Sequence, residues 1–266
     1  MAVKLFVTDL DGTLLPTGQA VSAENIRAAQ EAANRGVVVT IATGRMYRAA
    51  LPIAHSLGVD VPIITYNGAL IKSVGGDVFY TSYLSPEYVL EVVEFCHEKN
   101  WHVQLYSNDE LYYAEEDSYT VAYEADQKIK GHAVGWKDME EHTGQVTKLL
   151  VISDSLEETE ERIAILRPKF ADKVSVMRSN PRYTEVTNLG VSKAAGIRRL
   201  AERLGIEMKD TMAIGDSDND LPMLKAVGKS IAMGNALPHV KEICDYVTGD
   251  CKADGFAEAI RRYVLA

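Results

Sequence analysis

The chain has few cysteines, and it contains no apolar run long enough to cross a membrane. Its 266 residues include three cysteines, which are scattered and do not have the spacing of metal ligands. This sparse, odd count argues against a disulfide framework and favours a reducing compartment. The sequence does not open with the basic segment, apolar core and small-residue cleavage site that are typical of a signal peptide. We therefore expect a cytoplasmic protein without a membrane partner.

The chain has fewer basic residues than acidic ones, which gives it a formal net charge of −10. A phosphate backbone would be repelled by this charge, so a nucleic-acid partner is not expected. The six histidines lack metal-ligand spacing, which argues against a histidine-based metal site. No serine occupies a nucleophile-elbow context, which argues against a serine hydrolase. Because the overall charge is negative, any phosphorylated substrate must be bound by local charge and not by the overall field.

The order of apolar segments predicts an α/β protein. Strands and helices alternate over about the first seventy residues, which is typical of a Rossmann-like, doubly wound parallel sheet. The pattern changes near Val78 to strands flanking two helices, and the first pattern resumes at Gly190. We therefore predict a core of residues 1–82 and 189–266, interrupted by an inserted α+β domain of residues 83–188.

Two carboxylates stand at the end of the first apolar run. Val3–Val7 is predicted to be a buried strand, and Asp9 and Asp11 follow it, just before Gly12. Two like charges this close repel each other, and burial penalises both, so a bound cation would stabilise them. An ordinary Asp-Gly turn explains the same residues equally well. The segment alone leaves both interpretations open.

A second acidic cluster, Asp216–Asp220, follows a later predicted strand. Three carboxylates within five residues at a strand end are typical of a site for a hard cation. The calcium-loop pattern fails, because its required Gly and Glu positions are Leu221 and Val227. Asp220 also suits the N-cap of the next helix, and Asp218 is the acid that we assign to solvent.

Three further segments lie at predicted element ends. Thr43-Gly44-Arg45 lies between a strand and a helix, where amides bind anions, although a simple capping turn is favoured. Lys193 follows the predicted N-cap Ser192, and a cation there opposes the helix dipole unless an anion binds. A lysine extended into solvent is an equal alternative. Asn67-Gly68 either lines the same sheet edge or forms only a turn. We favour the turn.

Taken together, four of these segments resemble the haloacid dehalogenase superfamily of phosphohydrolases, in particular its Cof-like branch. The match is in order and spans the chain. The matching motifs are Asp9-Leu10-Asp11-Gly12-Thr13, Thr43-Gly44-Arg45, Lys193 and Gly215-Asp216-Ser217-Asp218-Asn219-Asp220. The long gap between Arg45 and Lys193 looks like the α/β cap of that branch, which closes over the site and contacts the substrate.

The resemblance implies a role for each motif. Asp9 would be the nucleophile that forms an aspartyl-phosphate, and Asp11 the general acid and then base. The implied Mg²⁺ ligands and their supports are Asp9, the carbonyl of Asp11, Asp216, Ser217 and Asp220. The implied phosphate-binding groups are Leu10, Thr43, Gly44, Lys193 and Asn219. The implied substrate is a small phosphorylated metabolite such as a sugar phosphate.

Two other functions stay open at this point. A phosphomutase or other phosphotransferase could use the same scaffold, although such relatives usually carry a helical cap between the first two motifs, which is absent here. A non-catalytic protein that binds a phosphorylated metabolite is the second alternative. The presence of Asp9, Asp11, Lys193 and Asp216 together argues against it. Oligomeric state cannot be read from the sequence.

Overall fold

The computed structural model describes residues 3–16, 18–58 and 61–266. These residues divide into two compact units. The first unit comprises the described residues of 1–44, 50–80 and 192–266, and the second comprises residues 45–49 and 81–191. The assignment of residues 83–188 to a substrate-specificity cap concerns function and stays a prediction.

The strands are short and rich in apolar or β-branched residues, as strands of a packed sheet should be. In chain order they are β1 (Leu5–Thr8), β2 (Val38–Ile41), β3 (Ile63–Thr65), β4 (Leu70–Lys72), β5 (Val78–Thr81), β6 (His102–Ser107), β7 (Glu110–Tyr113), β8 (His132–Ala133), β9 (Val146–Ile152), β10 (Val174–Asn180), β11 (Tyr183–Asn188), β12 (Thr211–Gly215), β13 (Lys229–Ala232) and β14 (Tyr246–Val247).

Two helices of the first unit begin at the residues that the capping signals indicate. Ser22 and Ser192 cap their helices as predicted, because each side chain accepts a hydrogen bond from the amide three residues on. In chain order the α-helices are α1 (Ala23–Asn34), α2 (Tyr47–Ser56), α3 (Pro86–Glu98), α4 (Ser118–Gln127), α5 (Leu156–Lys169), α6 (Lys193–Leu204), α7 (Leu221–Ala226), α8 (Pro238–Ile243) and α9 (Gly255–Ala259). A π-helical turn, Ile260–Val264, follows α9.

The first unit is built on a parallel sheet with the strand order β14-β13-β12-β1-β2, which confirms the predicted fold class. Strand β1 is an interior strand and completely buried, and it pairs with β12 on one side and β2 on the other. Phe6 of β1 packs edge-to-face on Phe256 of α9, with ring centroids 5.8 Å apart. Because all strands run the same way, the chain segments that follow β1, β2 and β12 meet at one edge.

Strand β3 belongs to a separate, smaller sheet, although its bridge to the parallel sheet, between Ala42 and Ile64, runs parallel as predicted. It pairs antiparallel with β4, and β5 completes a three-stranded sheet. Hydrogen bonds also link this segment to β2 and the residues after it, because Thr40 Oγ1 donates to Pro62 O at 2.5 Å and the Thr43 amide donates to Ile64 O at 2.9 Å. Strands β4 and β5 were not predicted, because their three or four residues are too short for a clear periodicity.

The second unit contains a six-stranded sheet with the order β10-β11-β9-β6-β7-β8. Its pairings are antiparallel except that of β7 with β8. The apolar faces of helices α3 and α5 contribute to a core with alternate residues of the strands. That core includes Val89, Val92, Cys96, Val103, Leu105, Leu149, Val151, Ile163, Leu166 and Val186. The inserted α+β module predicted from the change of pattern is therefore present.

No helix in the described part of the chain is long and apolar enough to cross a membrane.

Candidate active site

Three neighbouring strands of the parallel sheet deliver the predicted site residues. Asp9 directly follows β1, Asp216 directly follows β12, and Thr43 lies two residues beyond β2. Their strands are adjacent in the order β12-β1-β2. The structure therefore places the first, second and fourth motifs at the same sheet edge.

The carboxylates of Asp9, Asp216 and Asp220 form a compact cluster. Oxygen atoms of the three side chains lie within 4.8 Å of one another. Asp9 and Asp220 are buried, with exposed fractions of 4% and 0%. Burial, followed by the charge of Asp220, raises the pKa of Asp9 well above its usual range. The same two causes raise the pKa of Asp216 to about 7. Clustered carboxylate oxygens are the ligands that Mg²⁺ prefers, so this donor set fits a hard divalent cation.

Lys193 lies completely buried between two of these acids. Its Nζ donates to Asp9 Oδ1 at 2.5 Å and to Asp220 Oδ1 at 2.6 Å. Burial alone would lower the pKa of Lys193, but the charges of Asp220 and Asp9 outweigh it and raise the pKa. The solvent-exposed alternative for this lysine is therefore wrong. Its partners within the described chain are carboxylates of the site.

A capping box shapes the loop that carries Asp216. The Ser217 hydroxyl accepts from the Asp220 amide, while Asp220 Oδ2 accepts from the amides of Ser217 and Asp216, at 3.2 and 2.9 Å. The Ser217 hydroxyl also donates to Asn219 Oδ1 at 2.7 Å. Asp220 is thus fixed by its own loop, and it does not cap α7 through its side chain. The pattern of Ser followed by Asp three residues later is the sequence signal for this motif.

Asp218, which we assigned to solvent, forms a hydrogen bond with a histidine outside the cluster. Its Oδ1 lies 2.6 Å from Nε2 of His239, and its side chain is 29% exposed. The structure therefore separates this acid from the three clustered carboxylates.

The turn after β1 contributes a residue to which the sequence assigned no role. Thr13 is fully buried, and its Oγ1 donates to Asp216 Oδ1 at 2.8 Å. Gly12 has a φ of +80°, and a Cβ there would lie 2.6 Å from Asp216 Oδ2. The signal for both residues was their place in the first motif. Asp11 is exposed in the same turn.

The remaining phosphate-binding candidates are held by backbone contacts at the same edge. Thr43 is buried, its amide donates to Ile64 O, and its carbonyl accepts from Asn67 N, each at 2.9 Å. Leu10 is fully buried, and its carbonyl accepts from the amides of Thr13 and Leu15. Gly44 directly follows Thr43 and is half-buried.

Comparison with known proteins agrees with this geometry. A sequence model of haloacid dehalogenase-like hydrolases matches residues 6–260. The chain belongs to the haloacid dehalogenase-like hydrolase family. The resemblance that the four motifs predicted is thereby confirmed, and the chain is an enzyme, a phosphatase of this family.

Relatives match along the whole chain. A 5-amino-6-(5-phospho-D-ribitylamino)uracil phosphatase of Bacillus subtilis is 32% identical, over 99% of this chain and 96% of its own length. A solved structure from Thermotoga maritima, TM0651, has a TM-score of 0.84 at 31% identity, covering 98% and 97% of the two chains. The subclass IIB sugar phosphatase BT4131 has a TM-score of 0.87 at 26% identity, covering 99% and 100%.

Proposed function

We propose that this phosphatase hydrolyses a small phosphorylated metabolite in a Mg²⁺-dependent reaction through an aspartyl-phosphate. The observation that carries the proposal is the position of Asp9, a buried carboxylate within 4.8 Å of the carboxylate oxygens of Asp216 and Asp220 and in contact with Lys193. A carboxylate can attack an anionic phosphate only where positive charge offsets the repulsion. A buried lysine and a cation site beside the nucleophile meet this requirement.

Asp9 and Asp11 divide the chemistry between them. A carboxylate oxygen of Asp9 forms a bond to phosphorus, and the bond from phosphorus to the leaving oxygen breaks. Asp11 gives its proton to that oxygen. Asp11 then takes a proton from water, whose oxygen attacks phosphorus and releases phosphate and the Asp9 carboxylate. The exposed position of Asp11 supports this role, because a proton carrier has to reach substrate and water.

The Mg²⁺ ion would be held by Asp9, Asp216 and the carbonyl of Asp11, with Ser217 and Asp220 in support. Bound there, it would offset the charge of the carboxylates and of the phosphoryl oxygens. Asp220 is suited to a supporting role, because its oxygen atoms already accept from Lys193 and from the amides of its own loop. Ser217 holds the loop through the capping box.

The phosphoryl oxygens would be bound by groups at the same edge of the sheet. Positioned donors of this kind stabilise the charge that spreads over the phosphoryl group in the transition state. The proposed donors are the amides of Leu10 and Gly44 and the side chains of Thr43, Lys193 and Asn219. Two observations support this assignment: strands β12, β1 and β2 are adjacent, and Lys193 is buried.

The proposed substrate class is a phosphate ester on a polyhydroxylated carbon chain. Two of the full-length relatives support this class: one is named for a phosphorylated ribityl compound, and the other as a sugar phosphatase. We assign the choice of leaving group to residues 83–188, which would act as the specificity cap. The choice within this class requires a screen of phosphate released from sugar and polyol phosphates.

The decisive experiment replaces the nucleophile. The variant Asp9→Asn should lower Mg²⁺-dependent hydrolysis of p-nitrophenyl phosphate by about 1,000-fold or more, because a residual rate would come from binding and electrostatics alone. Asp218→Asn is the matched control, since it changes an acid of the same region that pairs with His239 outside the cluster. Full activity of Asp9→Asn would refute the nucleophile assignment. An active wild type that moves phosphate between two positions of a metabolite without releasing it would instead indicate a mutase.

A further inference from the structure

The turn between β3 and β4 has an unusual backbone. Tyr66 and Asn67 both have left-handed φ angles, of 51° and 55°, and Gly68 follows with 103°. Strands β3 and β4 pair Thr65 with Leu70, so the connection has four residues. Loops of this length are most often built around a type I turn, which needs no positive φ at its central residues. Joining the two strands therefore does not by itself require this conformation.

The conformation is unfavourable for residues with side chains. A non-glycine residue in a sparsely populated region costs on the order of 1–3 kcal/mol, and such residues cluster at functional sites. Tyr66 and Asn67 are both buried, with exposed fractions of 0% and 1%. The surrounding structure must therefore hold the turn in place, and its contacts indicate what the turn does.

One side of the turn is attached to the loop that follows β2. The Asn67 amide donates to the carbonyl of Thr43, and the Thr43 amide donates to the carbonyl of Ile64, each at 2.9 Å. The turn thus continues the backbone pairing that begins with the bridge between Ala42 and Ile64. Thr43, one of the proposed phosphate-binding residues, is thus fixed by backbone bonds to the turn and to β3, and Gly44 directly follows it.

The other side of the turn packs on the first turn of helix α6. A Cβ on Gly68 would lie 2.3 Å from the carbonyl oxygen of Ser192, the N-cap residue before Lys193. A Cβ on Gly196 would lie 2.6 Å from Cγ2 of Ile64 and 3.3 Å from Cα of Gly68. Two glycines therefore allow the backbone of the turn and the backbone of the helix to touch.

We infer that the left-handed turn Tyr66–Gly68 is a positioning element of the phosphate site. It sets the start of α6, and with it Lys193, against the Thr43-Gly44 loop. The inference rests on the proposed function, because it assigns the turn to the spacing of two groups proposed to bind one phosphoryl group. Asn67 and Gly68 are positioning residues here, and they act through Thr43 and Lys193.

The experiment uses Gly196→Ala, which adds a methyl group where α6 contacts Ile64 and Gly68 and introduces no strained φ. Alanine is a better helix former than glycine by about 1 kcal/mol, so the variant should fold. We expect its affinity for inorganic phosphate, measured calorimetrically with saturating Mg²⁺, to fall at least about tenfold, equivalent to about 1.4 kcal/mol. Its affinity for Mg²⁺ alone should stay within about threefold, equivalent to about 0.7 kcal/mol.

Gly205→Ala is the control for an alanine at a positive φ, and it is matched to Gly68→Ala. Gly205 ends the same helix with a φ of 66°, and a Cβ there meets no atom within 4 Å. This variant measures a strained alanine on α6 without a displaced contact, and its phosphate affinity should equal that of the wild type. Gly68→Ala combines strain and collision and should lose phosphate binding more completely, where it folds.

A double variant distinguishes positioning from a general structural effect. In a Lys193→Met background, Gly196→Ala should cause no further loss of phosphate affinity, because the group that it displaces has been removed. Equal phosphate binding by wild type and Gly196→Ala would overturn the inference and leave the proposed function intact. An additive loss in the double variant would also overturn it. A wild type that binds no phosphate in the presence of Mg²⁺ would refute the proposed function itself.

Discussion

Lys193 Nζ lies 2.5 Å from Asp9 Oδ1, and both side chains are buried. The two residues are 184 positions apart in the chain, and they meet because β1 and the start of α6 belong to the same unit. This contact explains two features that are unfavourable in the separate sequence segments. The acid at the end of the buried strand gains a cationic partner, and the lysine at the helix start gains anionic partners.

Removing the Lys193 charge should destabilise the protein in the absence of Mg²⁺. Lys193→Met keeps the length of the side chain but leaves Asp9 and Asp220 without their buried ammonium partner. Breaking a buried pair from one side typically costs about 3–5 kcal/mol, and we expect a loss of about this size in the free energy of unfolding in EDTA. Denaturant titration measures it. The variant should regain more stability from Mg²⁺ than the wild type does, and equal stability of the two proteins in EDTA would contradict the prediction.

Much of the site could be predicted, because its residues stand where secondary-structure elements end. Asp9, Asp216 and Lys193 were each identifiable as charges at a strand or helix terminus. In a parallel sheet these termini converge at one edge. Their mutual distances could not be predicted, because they depend on how α6 packs against the sheet. The sequence therefore left Lys193 open between solvent and anion, and the structure places it between two carboxylates.

The parts that the sequence missed depend on close approach rather than on pattern. Thr13 has an ordinary turn position in the sequence, and its bond to Asp216 exists only after residues 203 positions apart come together. Strands β4 and β5 are too short for periodicity to reveal them. Gly68 and Gly196 meet across two elements, and neither residue signals the other within the sequence.

Gly12 should be required for the metal site beyond its backbone conformation. Gly12→Ala would place a methyl carbon 2.6 Å from Asp216 Oδ2, so the carboxylate would have to move. We expect the affinity for Mg²⁺, measured calorimetrically, to fall at least about tenfold, equivalent to about 1.4 kcal/mol. Gly18→Ala is the control, because Gly18 has a similar φ of 72° and a Cβ there meets no atom within 4 Å. Equal Mg²⁺ affinity of the two variants would contradict the proposed role of the contact between Gly12 and Asp216.

The acidic cluster should make stability in the absence of Mg²⁺ fall as pH rises. The pKa of Asp216 is raised from 3.8 to about 7 in the folded chain. Between these values the folded state binds more protons than the unfolded state, so the free energy of unfolding decreases with pH across this window. Mg²⁺ prefers the ionised carboxylate, so its stabilising effect should grow over the same window. Thermal melts in EDTA and in Mg²⁺ from about pH 4 to 7 test both trends. Asp216→Asn should flatten the slope in EDTA, and an unchanged slope would exclude Asp216 as its cause.

The second unit contains a buried ion pair whose disruption should be costly. Lys148 Nζ lies 3.2 Å from Glu185 Oε2, with side-chain exposures of 2% and 4%, and it also lies 4.7 Å from the ring centroid of Tyr106. Glu185→Gln removes one charge and leaves the other buried, so we expect the free energy of unfolding to fall by about 3–5 kcal/mol. Glu91→Gln breaks the half-exposed pair with Lys173 in the same unit and should cost at most about 1 kcal/mol. Denaturant titration of both variants tests the contrast. In the double variant Lys148→Met/Glu185→Gln both charges are absent. Its free energy of unfolding should therefore fall by less than the sum of the two single losses. A small loss for Glu185→Gln would mean that the charge of Lys148 is stabilised without this carboxylate.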